Sequence, residues 1–199
     1  MSKDIDDKGV VDRWLTDTGS KIAEKVRREL VDSGDVSDAT LAALKGYDIG
    51  EYELDLRGID LTGLEFSQLD LCFARLDYAK FTNCKAESIL ANGSSLLGVD
   101  FGGLDVLKLQ AGESTMSQVN LANVNVGELY ISRSNAQRVC FKNMKSKAIN
   151  MSESNVVGSQ FSGLVAGRIE LSGALITSGE TSWIENIPEV TGIEKIIWV

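Results

Sequence analysis

The chain has 199 residues, 29 acidic and 20 basic, for a net charge of −9, and no histidine. Lacking histidine, it lacks the commonest general base and metal ligand; a single proline excludes a proline-rich linker, and 19 glycines argue against a mostly helical protein. Its length fits one domain with a small appendage. Residues 1–53 hold 13 acids and 8 bases. Val11, Trp14, Leu15, Ile22, Val26 and Leu30 recur at helical spacing with charge between them, which predicts a helix from about Val10 to Asp32, stopped by Gly34. Ser37 is placed to N-cap a short second helix, DATLAALKG, ended by Gly46. The start, MSKDIDDKGVVDRW, has no apolar run and does not read as a secretory signal. This segment is expected to form a helical cap over the first part of the remaining chain, with targeting or partner docking as the alternative.

From Leu54 the chain divides into blocks of five: LDLRG, IDLTG, LEFSQ, LDLCF, ARLDY, AKFTN and onward to ALITS, 25 blocks through Ser178 without insertion or deletion. The third residue of each block, its centre, is apolar in 24 of 25 blocks, Ser146 being the exception. First positions carry 16 large aliphatic residues, second positions are Asp or Asn in ten blocks, and fifth positions are Gly in eight. A period of five is neither helical nor simple strand alternation. Each block therefore holds a short extended piece, with first and centre residues on one side, followed by a turn at positions four and five.

A second period of twenty lies on top. Ala74, Ser94, Ser114, Ser134, Ser154 and Ala174 form a small first-position column; Leu69, Ile89, Leu109, Leu129, Ile149 and Ile169 form a large one. The centres Leu61, Phe81, Phe101, Leu121, Phe141 and Phe161 form a Phe-rich column. Four blocks per coil follow, one per side of a square, with equivalent residues stacked ~4.8 Å apart. Small and large columns face each other, as a narrow interior packed at crystal-like density requires.

These blocks resemble the pentapeptide-repeat family, whose pattern is Ala-(Asp/Asn)-Leu-X-X; IDLTG, LDLCF, AKFTN, VNLAN and INMSE carry the likeness. The resemblance covers 54–178. It implies an all-β fold, a right-handed quadrilateral β-helix solenoid with first and centre residues inside. Large aliphatic first residues depart from the family's usual Ala.

Residues 179–199 leave the repeat. This tail contains Trp183, Ile184, Ile187, Ile193, Ile196, Ile197 and Trp198, too many apolar groups to be left in water. Either it caps the last coil or it joins two subunits. Family members that act on topoisomerases dimerise through their C-terminal ends, so the resemblance implies a homodimer as one outcome. The chain is thus expected to comprise a cap (1–53), a coil (54–178) and a C-terminal capping or dimerisation segment (179–199).

No histidine stands ready to activate a serine, no phosphate-binding loop is present, and a filled rod offers flat sides instead of a cleft that could pair two carboxylates. Cys72, Cys84 and Cys140 are an odd, widely spaced set that fits neither a disulfide framework nor a zinc site. No catalytic, cofactor-binding or metal-ligating residue is assigned, and an enzyme is not expected. Nothing approaches ~18 continuous apolar residues, so no membrane span is expected and a cytoplasmic protein is the default. The resemblance also raises a DNA-mimic modulator of a type II topoisomerase and a bacterial effector as alternatives. Residues 54–178 hold 12 acids and 11 bases, however, whereas a mimic carries its charge along the rod. The bases Arg133, Arg138, Lys142, Lys145 and Lys147 suggest a surface for an anionic protein partner, with no interleaved aromatic to favour direct nucleic-acid binding. Phe73, Tyr78, Leu90 and Leu97 stand at outward positions and are expected either under the N-terminal helices or in a binding patch. The expectation is a protein–protein interaction or scaffolding module whose partner is another protein.

Overall fold

A computed structural model describes residues 12–44, 52–177 and 182–199. The expected helix start near Val10, the stop at Gly46 and the end of the repeat at Ser178 lie outside the described residues. Within the repeat, the centre carbonyl accepts the N–H three residues on, as Leu56 does from Ile59 (3.1 Å) and Leu76 from Ala79 (2.8 Å). This closes a β-turn whose third residue, the fifth of the block, has positive φ, as at Gly58 (φ 70) and Gly103 (φ 71). That is the requirement of a type II turn, and it explains the fifth-position glycines. Asp or Asn at the second position accepts the amide two residues on, as in Thr62 N–H to Asp60 (3.0 Å) and Ala122 N–H to Asn120 (3.0 Å).

The strands are β1 (Leu54–Asp55), β2 (Glu65–Asp70), β3 (Ala74–Arg75), β4 (Lys85–Leu90), β5 (Asp105–Gln110), β6 (Asn125–Tyr130), β7 (Lys145–Asn150), β8 (Val165–Glu170), β9 (Leu175–Ile176), β10 (Glu189–Thr191) and β11 (Ile197–Trp198). One side of the coil is a seven-stranded parallel sheet in the order β10-β8-β7-β6-β5-β4-β2. Its register places Leu69 beside Ile89, then Leu109, Leu129, Ile149 and Ile169, so the period of twenty is the rise of one coil. The four corners are not alike, which corrects the expectation of a turn at the end of every block. Three carry the tight turn. At the fourth, six-residue strands run straight through Gln68, Ser88, Lys108, Glu128, Ala148 and Arg168, none of them glycine.

Every first and centre residue from Leu54 to Ile176 is buried except Leu64, Ala86 and Ser146, which are half-buried. Each buried Leu, Ile or Phe contributes roughly 1.5–3 kcal/mol, and the stack shares this burial between neighbouring coils. The Phe column is a ring stack: Phe81 on Phe101 (centroids 5.1 Å) and Phe141 on Phe161 (4.9 Å). The serine column is a hydrogen-bond ladder. Ser94, Ser114 and Ser134 each donate from Oγ to the carbonyl 23 residues earlier, Leu71, Ala91 and Ala111, at 2.7 Å. Each Oγ also accepts an amide from the coil before: Ala74 to Ser94 (3.1 Å), Ser94 to Ser114 (3.2 Å) and Ser114 to Ser134 (3.2 Å). A small hydroxyl is thus both the right volume and the partner of two buried backbone groups. Ser134→Ala is expected to lower stability by ~1–3 kcal/mol, because it orphans the Ser114 amide; equilibrium urea unfolding reads this directly.

The N-terminal helices lie over the first coil. A 3₁₀ turn (Arg13–Leu15) precedes α1 (Asp17–Ser33), and α2 (Asp38–Leu44) comes next. The single helix expected from Val10 to Asp32 is broken at Thr16, whose backbone is extended and whose Oγ1 caps Gly19 N–H (3.0 Å). Gly34 ends α1 at φ 76. A side chain there would meet the Gln68 carbonyl, so only glycine fits the close approach of helix and coil. Ala23, Val26 and Leu30 are buried on the coil's end.

The cap also supplies hydrogen bonds that a preceding coil would have made. Asp55 O accepts from Arg13 Nη2 (2.9 Å), Arg57 O from Trp14 Nε1 (2.7 Å) and Asp60 O from Arg27 Nε (2.7 Å), while Asp70 N–H donates to Gly34 O (3.1 Å). The Asp55 carboxylate is buried between Arg13 Nη1 (3.0 Å) and Arg57 Nη2 (2.8 Å). Burial alone would raise its carboxyl; hydrogen bonds from Arg57 and Arg13 outweigh that and hold it below the ordinary range.

At the other end β10 pairs with β8 and β11 with β9, Glu189 beside Arg168 and Ile197 beside Leu175. These offsets of 21 and 22 residues replace the regular twenty, so the tail makes one more partial coil with extra residues. Trp183 takes the next place in the aromatic column, stacked on Phe161 at 4.0 Å.

Candidate interaction surfaces

The basic run does not form one patch. Arg133 and Arg138 sit at successive tight corners, Lys142 lies in the turn of the next side, and Lys145 and Lys147 stand on β7, so the five bases spread over three sides of the coil. Fifteen residues span three-quarters of a coil, and a sequence run therefore becomes an arc around the rod. Arg133 is engaged by Glu113 one coil earlier (Nε to Oε1, 3.1 Å), and that contact raises its pKa. The same rule governs other charges: Lys80 lies beside Asp60 (3.5 Å) and Lys85 beside Glu65 (2.8 Å). Opposite signs alternate along a column.

Phe73 and Tyr78 occupy successive corners of one coil with left-handed backbone (φ 55 and 62). Their rings lie over Gly93 and Gly98 of the next coil, where an added Cβ would meet them at 2.7 and 2.8 Å. Both remain exposed, Phe73 by 54%, and both pack on glycine turns. Leu90 and Leu97 are half-buried on the coil's sides. Leu107 and Val165 are exposed on the strand-bearing side, at the fourth and second positions of their blocks, and sequence reasoning missed them although apolar residues at outward positions were their signal.

The tail residues divide into two sets. Ile187 is buried, and Trp183, Ile184 and Ile196 pack against the core. Ile193, Ile197 and Trp198 are exposed, as is Val199 at 52%. Among them opens a largely apolar groove of about 420 Å³ lined by Ile184, Ile187, Val190, Ile193, Ile196 and Trp198, with Glu185 as its one charged residue. One end of the rod therefore carries both an apolar hollow and apolar projections.

The arrangement offers little for chemistry. Burial pushes the Cys84 thiol up to about 11, and its sulfur donates to Leu61 O as the ladder serines do. Among the described residues, no three His, Cys, Asp or Glu side chains gather as a metal site, and no helix is long and apolar enough to cross a membrane. Of the buried carboxylates, Asp55 is held by two guanidinium groups, and Asp77 by Arg75 (3.2 Å) and the Ser95 hydroxyl.

A model of the pentapeptide repeats matches residues 53–87, in 8 copies. No curated protein matches the chain. Among solved structures, QnrB1, a plasmid-mediated fluoroquinolone resistance protein, aligns at 16% identity over 73% of this chain and 76% of its own, with TM-score 0.28. A pentapeptide repeat protein of the Arabidopsis thaliana thylakoid lumen aligns at 21% identity over 68% and 76%, TM-score 0.23. HetL, a pentapeptide repeat protein involved in heterocyst differentiation regulation in Nostoc sp. strain PCC 7120, aligns at 16% identity over 76% and 75%, TM-score 0.25.

Proposed function

Because this chain is a pentapeptide-repeat protein with a filled interior, we propose that it is a non-enzymatic protein–protein interaction module. Its principal association surface is the apolar end formed by residues 182–199, and the partner there is a second copy of the chain. The observation that carries this is the exposure of Ile193, Ile197, Trp198 and Val199 around the groove at that end. Projection and hollow on one face make the surface self-complementary, which suits a two-fold interface. Exposed apolar groups of this size in water favour burial against a partner.

Charge supports this reading over a DNA-like surface. A mimic needs aligned acids, and here Lys80 and Lys85 stand directly beside Asp60 and Glu65. A topoisomerase supercoiling assay unaffected by excess protein is the outcome expected.

Sedimentation equilibrium tests the association. The wild type is expected to weigh two chains, and Trp198→Lys one, with an unchanged melt. Loss of a buried aromatic anchor weakens such interfaces by ~2 kcal/mol or more, roughly thirtyfold in Kd. A wild type that stays at the mass of one chain at high concentration would overturn the end-to-end reading.

A further inference from the structure

We propose that the helical cap is a growth stop: it prevents the last coil of a second copy from stacking head to tail on the first coil. The inference rests on the reading that the C-terminal end is an association surface. Within the rod, each coil aims the N–H and C=O of its second-position residues back at the coil before. Lys80 N–H donates to Ile59 O (2.9 Å), and Lys80 O accepts from Leu61 (2.8 Å). Among the described residues, no coil precedes the first. Its Asp55 and Asp60 carbonyls and its Asp70 amide would be an open parallel edge, the usual template for another strand. Side chains of Arg13 and Arg27 and the Gly34 carbonyl occupy those three groups instead.

The opposite end is built to continue the ladder. β11 belongs to the side of the rod on which β1 is the first rung, and both pair in parallel. A second copy in line would therefore set its β11 against β1, with Ile197 and Trp198 at the contact. Where that apolar edge would have been available, the cap instead presents a mainly charged surface, with Lys21, Glu24, Arg28 and Asp32 of α1 exposed and Leu15 and Val31 among the exposed apolar groups. Two different ends that fit each other make a heterologous contact, which extends without closing. With one end stopped, only the C-terminal end remains, and association closes at two copies.

The test is sedimentation velocity on the full chain carrying Val26→Asp and Leu30→Asp, which loosen the cap without altering a coil residue. The expected result is species heavier than the wild-type assembly, increasing with concentration and lost when Trp198→Lys is added. A variant that keeps the coil's circular dichroism yet grows no heavier than wild type overturns the proposal, as do heavy species that persist with Trp198→Lys. Should that variant fail to fold, Trp14→Phe with Arg27→Ala decides. It removes the Trp14 and Arg27 donors to the first coil's carbonyls while keeping the cap's apolar contacts, and a several-fold larger heavy fraction than wild type is expected, with no increase counting against the proposal. The mass of the wild type alone tests the two-copy reading, so the two failures are distinguishable.

Discussion

Phe141→Asp abolishes the cooperative thermal transition of the coil. Phe141 is fully buried, its ring stacked on Phe161 at 4.9 Å, and Leu121 and Phe161 fill the coils on either side. Removing a buried Phe side chain alone costs ~3–5 kcal/mol. Aspartate adds an unpaired charge in a column with no cation to receive it, a further penalty of several kcal/mol. Together these consume most of the ~5–15 kcal/mol that a domain possesses. The substitution also lies in mid-rod, so the coils on either side lose a stacking neighbour at once. Far-UV circular dichroism against temperature is the measurement. Phe141→Leu is the matched control, expected to cost only ~1–2 kcal/mol, because Leu61 and Leu121 show that this column accepts leucine. An unchanged melt for the aspartate variant would contradict the inward placement of the column.

Asp55→Ala detaches the cap from the coil and lowers stability by ~3–5 kcal/mol. The side chains of Arg13, Asp55 and Arg57 are exposed by only 7%, 1% and 3%. Removing the carboxylate strips two buried guanidinium groups of the ion pairs it makes with them, which is far costlier than the net worth of the intact cluster. The same group sets an acid limit. Its folded pKa lies below the ordinary value, so its stabilising contribution is fully present above ~4, the unfolded value. That contribution is lost as pH falls through the folded pKa. Wild-type stability is expected to decline below about pH 4 with a component that Asp55→Ala lacks. Equal acid sensitivity of the two proteins would remove Asp55 from the account.

The coil is legible in the sequence because its columns repeat on every turn. The large aliphatic ladder from Leu69 to Ile169, the serine ladder and the Phe column each occur often enough for chance to be discounted. The extended corner also leaves a sign, though a subtler one: all the fifth-position glycines avoid the column from Gln68 to Arg168. A residue that need not adopt positive φ has no reason to be glycine, so that absence is the signal. The cap's polar bonds are not legible. Asp55 has the spacing of a solvated second-position acid, and only the three-dimensional approach of Arg13 makes it a buried ion-pair centre. The break at Thr16 is hidden because apolar spacing continues across it, while the deciding bond is a side-chain cap to Gly19. The basic run misleads for a geometric reason, since neighbours in sequence go round the rod and neighbours in space lie twenty residues apart. In the tail, offsets of 21 and 22 residues conceal a further partial coil that the apolar count alone suggests only as a cover or a contact.

The square coil advances one rung every twenty residues. Pulsed electron paramagnetic resonance on paired spin labels measures that advance directly. Thr62, Lys142 and Ser162 share one turn column, and the three native cysteines can be replaced by serine, which the Ser94–Ser134 ladder shows to be acceptable at the position of Cys84. At ~4.8 Å per coil, the 62–142 pair is expected near ~19 Å and the 62–162 pair near ~24 Å, one rung longer. Distances that fail to increase by one strand spacing, or that match a helical or extended chain between these residues, would contradict the coil and everything inferred from its sides and ends.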